Sequence, residues 1–123
     1  MSYKSELVYS NTELSKAEKV YLKDTSDAIK LDEAVQMGES LVLTPKIWAV
    51  IKIHNDKSED KEYENYILVD ESGDKYVTGS ESFWRSFTDI AEEMSPDVFS
   101  IKVFKKPSKN YSGKAFITCG MIL

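Results

Sequence analysis

The sequence predicts a mainly β domain: a five-stranded OB-type barrel with a helix between its third and fourth strands, behind a partly helical N-terminal extension. Three observations lead there. Residues 41–78 hold three short segments of strand character. An amphipathic stretch follows and ends at Pro96. Two further alternating segments, separated by a polar loop, complete the chain. Strand-strand-strand-helix-strand-strand is the OB order, although other small α+β sheets share it. At 123 residues the chain is read as one domain, with 1–40 packed on a barrel of 41–123.

The elements are justified in turn. Ser10 and Glu13 stand at capping-box spacing, and Leu14, Ala17 and Tyr21 follow at helical steps. A second short helix is expected over 31–37, stopped by Gly38. Residues 41–43 lead through Pro45 into 46–53, where Ile47, Ala49, Ile51 and Ile53 alternate with Lys46, Trp48, Val50 and Lys52. The first set is assigned to the core. A charged loop at 54–62 precedes a hairpin of 63–70 and 74–78 around the turn 71–73. Thr78 and Glu81 are expected to open the helix, which presents Phe83, Phe87, Ile90 and Met94 on one face. The last strands are 98–104 and 114–123, joined by the loop 105–113.

Charge is distributed unevenly. The chain carries −5 overall, yet residues 1–97 sum to −10, and residues 98–123 hold five lysines and no acid. An acidic body with one basic edge directs polyanions to that edge. The absence of an apolar run near 20 residues argues against a membrane helix, and the first residues lack a signal-peptide core. Cys119 is the single cysteine, which fits a reducing, cytoplasmic setting, the host cytoplasm if the protein is phage-encoded. The sequence holds no Gly-rich phosphate loop, nucleophile elbow or metal-spaced histidines, so neither an enzyme nor a cofactor is expected. His54 with Asp56, Glu59 and Asp60 is read as part of a solvated loop, and Cys119 as an apolar filler.

In the last two strands Phe99, Ile101 and Val103 alternate with Lys102 and Phe104, while Ile117 and Cys119 alternate with Lys114 and Phe116. The first set is the natural core face. The second then gathers Lys102, Phe104, Lys114 and Phe116 outside, with Lys105, Lys106, Lys109 and Tyr111 in the loop above. Bases stack on rings while ammonium groups meet phosphates, which is the chemistry single strands require. Lys46, Trp48 and Lys52 repeat the combination on the first strand, and Tyr66 and Tyr76 are candidates to extend the platform. For Trp48 the alternative is burial under the N-terminal arm or a second subunit, and for the lysines a merely solvated face. Trp84 and Arg85 are read as packing or partner-facing residues of the helix.

The stretch 75–90, together with 101–109 and 114–119, resembles small single-stranded DNA-binding proteins of bacteriophages of lactic-acid and related Gram-positive bacteria. The likeness covers the C-terminal half well and the first forty residues loosely. It implies an OB-fold, sequence-nonspecific binding of single-stranded DNA, at least dimeric assembly, and a role in phage replication or recombination alongside the proteins of those processes. Carried over by position, the contacts are the lysines and aromatics of the last hairpin. Bacterial-type single-strand binders end in an acidic tail, whereas the last residues here are Gly120, Met121, Ile122 and Leu123. Two alternatives stand beside this reading: an assembly module whose exposed aromatics cover a partner, and an RNA-binding OB domain.

Overall fold

The computed structural model describes residues 3–36, 38–55, 62–107 and 115–123. It is mainly β, with eight strands and three helices among those residues: β1 (Tyr3–Ser10), α1 (Lys16–Lys23), β2 (Ile29–Lys30), α2 (Leu31–Ala34), β3 (Ser40–Leu43), β4 (Pro45–Asn55), β5 (Glu62–Asp70), β6 (Lys75–Thr78), α3 (Glu81–Met94), β7 (Ser100–Pro107) and β8 (Ala115–Ile122). The strands make two sheets, ordered β1-β4-β5-β6-β2 and β3-β7-β8, rather than one closed barrel. β2 runs parallel to β6, and the other pairings are antiparallel.

Only Thr44 separates β3 from β4, so one run of chain turns a corner and serves both sheets. A register shift between Pro45 and Ile47 supplies the local bend. The corner is pinned from two sides. The Thr44 amide donates to Asp70 Oδ2 at 2.8 Å, the Thr44 carbonyl accepts from the Glu71 amide at 3.0 Å, and the Thr44 hydroxyl shares a 2.7 Å bond with Ser100 Oγ. Partial burial would raise the Asp70 carboxyl, but the Ser72 and Thr44 amides and the Ser72 hydroxyl outweigh it and hold its pKa below the ordinary value. The turn after β5 needs a left-handed residue, and Gly73 takes φ +96° there.

Both faces of the five-stranded sheet are covered, so the first barrel strand is buried on its expected core face and, against expectation, at Trp48 and Val50 on the other. Ala49, Ile51 and Ile53 face an N-terminal layer with Leu22 of α1, Ile67 and Val69, with Leu7 and Leu14 packed against them. Trp48 points the other way, into the larger core shared with Leu68, Tyr76, Phe83, Phe87, Ile101, Val103 and Ile117. The N-terminal forty residues are therefore more than a partly helical extension, since they also supply strands to the sheet. β1 adds a strand to β4, and β2 adds one to β6.

The helices form near where the pattern places them, but α2 ends at Ala34, short of the expected stop at Gly38, and the caps of α1 and α3 differ. In α1 the capping box is Ser15 with Glu18, five residues after the expected one, because Ser10 still belongs to β1. For α3 the cap is Ser80, whose hydroxyl accepts from the Phe83 amide at 3.2 Å. Thr78 instead donates to Asp32 and accepts from the Ser80 amide, tying α2 to the start of α3. Phe83 and Phe87 are fully buried, with Ile90 and Met94 partly buried on the same stripe. The helix also borders β8: the Ser82 hydroxyl donates to the Ile117 carbonyl, and Ser86 Oγ meets Thr118 Oγ1 at 3.1 Å.

Candidate nucleic-acid interface

The β7–β8 hairpin carries the candidate interface, and β7 follows the expected alternation. In β8, by contrast, Thr118, expected outside, is buried against Ser86 of α3, and Ala115 and Met121, expected on the core face, are exposed near the strand ends. Ile101, Val103, Ile117 and Cys119 are buried inward. Lys102, Phe104 and Lys106 point to the opposite face of β7, in register with Gly120, Thr118 and Phe116 of β8. The Lys102 ammonium stands 5.9 Å from the Phe104 ring centroid and the Lys106 ammonium 5.6 Å, so the ring is flanked by two cations. Phe116 lies opposite Lys106 and is 38% exposed. Val42 on β3 is opposite Lys102 and 58% exposed, so it extends the face to the third strand. Sequence reasoning passed over Val42. The signal was its alternation with Leu41 and Leu43, one packed against the core and the other buried in it.

The remaining candidates separate into four groups. β7 runs to Pro107, so Lys105 and Lys106 belong to the strand rather than the loop. Lys105 is opposite Ile117, on the parity of Ile101 and Val103, and is half-buried at the end of the inner face. Lys109, Tyr111 and Lys114 lie outside the described residues.

Trp48, Tyr66 and Tyr76 form no surface platform. Trp48 is 9% exposed and meets Phe87 and Phe99 edge-on at 5.3 and 5.8 Å. Tyr66 is buried and stacked on Trp84 at 4.8 Å, and Tyr76 lies in the same core. Burial, reinforced by nearby carboxylates, pushes both phenols above their ordinary pKa. The cause is the covering of sheet faces on both sides: three rings placed outside a simple barrel instead face α3. Trp84, read as packing, does pack.

Lys46 and Lys52 stand on the other sheet. Lys52 pairs with Glu62 at 3.4 Å, and the same carboxylate takes a 3.1 Å contact from His54 Nδ1. His54 therefore belongs to β4 rather than to the loop. Lys46 lines a groove of about 700 Å3 at the sheet corner, together with Glu13, Glu18, Glu71 and Asp97. That acidic setting does not suit a phosphate chain.

Another lysine has a structural role that the sequence did not reveal. Lys75 is 5% exposed, yet its ammonium donates to the Tyr21 carbonyl at 2.7 Å and to the Asp24 carbonyl, and reaches Asp27 at 3.2 Å. It also lies 4.0 Å from the Tyr21 ring centroid. It satisfies carbonyls at the end of α1 and fastens that helix over the sheet. Burial raises the Cys119 thiol to about 12, which leaves it without nucleophilic character near neutral pH.

No helix among the described residues is long and apolar enough to cross a membrane. No protein-family model, curated protein or solved structure matches the chain.

Proposed function

We propose that the protein binds single-stranded DNA without sequence preference, on the outer face of β3, β7 and β8. The observation that carries the reading is the flanking of Phe104 by Lys102 and Lys106, with the exposed Phe116 beside them. Two rings give stacking surfaces that tolerate any base, and the ammonium groups meet the phosphates on either side. The segment 98–123 has no acid to oppose a polyanion. Residues 108–114 contribute further lysines and a tyrosine by sequence alone.

The finer fold reading, an OB-type barrel, belongs to the same proposal. Several features support it: the corner strand β3–β4 serving both sheets, the meander β4–β5–β6, the helix before β7, and the pairing of β7 with both β3 and β8. β6 and β8 do not pair, and α3 borders β8 there. On this reading the N-terminal layer covers the outer side of the second and third barrel strands, a common OB ligand surface, and leaves the last hairpin as the basic one. A place in phage replication or recombination, and assembly at least as dimers, rest on the resemblance noted above.

The test is fluorescence anisotropy of a labelled dT oligomer across a salt series, with rU and duplex DNA alongside. Binding to dT that weakens steeply with salt supports the proposal. Equal or tighter rU binding would move the function to RNA, and no binding at about 50 mM salt would overturn it. Intrinsic tryptophan quenching is a poor readout, because Trp48 is buried and Trp84 is stacked on Tyr66.

A further inference from the structure

The corner groove is complementary to the Lys105–Lys106 end of the β7–β8 hairpin, and the two stand at opposite ends of β7. The groove is flanked on one side by the 95–99 segment, directly before β7 begins at Ser100. Its accessible apolar surface comes from Ile47, Pro96 and Val98, and Val98 is 80% exposed. Four carboxylates, Glu13, Glu18, Glu71 and Asp97, surround this surface against the single ammonium of Lys46. Among the described residues none of the four has an ion-pair partner within 4.0 Å. An occupant that suits such a groove is cationic and carries apolar or aromatic side chains.

Residues 98–123 have that composition: five lysines, no acid, and Phe104, Tyr111 and Phe116 interleaved. Eight residues of β7, about 25 Å at the usual strand rise, hold the two features apart. A strand of that length keeps Lys105 and Lys106 from reaching the groove of their own molecule. We infer that the groove receives the lysine-rich hairpin of a second copy of this chain. The contact is head-to-tail, so it propagates into open chains or rings rather than closing as a two-fold dimer. Because it uses the lysines assigned above to the DNA strand, it also competes with DNA, and that competitive part alone rests on the proposed function.

Sedimentation velocity over a concentration series at about 50 and 500 mM salt tests the assembly without DNA. Concentration-dependent growth at low salt that disappears at high salt is expected. Glu13→Gln with Glu71→Gln and Asp97→Asn disables the groove, and Lys105→Ala with Lys106→Ala disables the hairpin. Glu18 is left intact because it closes the cap of α1. Each variant should self-associate about tenfold more weakly, yet a mixture of the two should form one-to-one heterodimers, since each supplies the half the other lacks. Circular dichroism confirms that the variants are folded. Unchanged association of the groove variant, a monomer at every concentration of the parent, or a mixture that stays monomeric would each overturn the inference. Adding dT oligomer should dissolve the parent assemblies. Assemblies that persist while anisotropy reports bound DNA would refute the competition and leave the DNA reading standing.

Discussion

At the scale of single residues, Phe116 and Phe104 distinguish a binding face from a solvated one. Phe116 is exposed on an edge-proximal position of β8, so Phe116→Ala should leave the melting temperature nearly unchanged. Its expected cost is about 1–3 kcal/mol of dT binding, read by anisotropy. Phe104 is half-buried beside Gly120, and Phe104→Ala should weaken binding comparably with a small loss of stability. Lys102→Ala and Lys106→Ala should each reduce the logarithmic salt slope by about 0.7, the increment for one single-strand phosphate contact. Cys119 provides a control inside the same strand. Its thiol, pushed up to about 12 by burial, should resist an alkylating reagent at pH 8 in the folded protein and react readily in denaturant.

At the scale of elements, the contact between Lys75 and α1 decides whether the N-terminal layer stays on the sheet. Lys75→Met keeps most of the buried stem but leaves the Tyr21 and Asp24 carbonyls without their ammonium donor. It should cost about 1.5–3 kcal/mol, and hydrogen exchange should quicken in α1 before the rest of the molecule. The sheet corner makes a second prediction. Asp70 is held below its ordinary value of 3.8, so its contribution is present above that value and fades as the pH falls through the lowered one. Asp70→Asn should therefore be less stable than the parent at neutral pH, with the difference shrinking on acidification in a pH series of thermal melts.

The elements also show why part of the site was legible in the sequence and part was not. β7 and β8 each have one apolar and one polar-aromatic face, so parity alone tells inside from outside along β7 and at Phe116, Ile117 and Cys119 of β8. β4 is apolar on both faces around Ala49, Val50 and Ile51, and period two does not say which face meets α3. Period two therefore places Trp48 outside, with Tyr66 and Tyr76 beside it. β1 escaped notice because its register shifts between Leu7 and Tyr9, breaking the alternation of a strand with Glu6, Val8 and Tyr9 exposed. Lys75 reads as one more surface lysine, since its partners are backbone carbonyls some fifty residues earlier, which no spacing rule points to.

At the scale of the whole molecule, the charge pattern sets how a strand approaches. On the proposed function, the −10 carried by residues 1–97 disfavours phosphates over the body and favours the basic β7–β8 hairpin as the path of a single strand. The N-terminal layer reinforces this by covering the outer face of β4, β5 and β6 with α1. The central claim is that one basic, aromatic face binds single strands through rings and phosphates together. Anisotropy titration of a labelled dT oligomer across a salt series, on the parent and on Phe104→Ala/Phe116→Ala, tests both parts at once. The expected result is parent binding with a salt slope of about −2 to −3.5, as three to five lysine contacts would give, and a double variant that keeps the slope while losing affinity. Binding that ignores salt, or a double variant that binds like the parent, would contradict it.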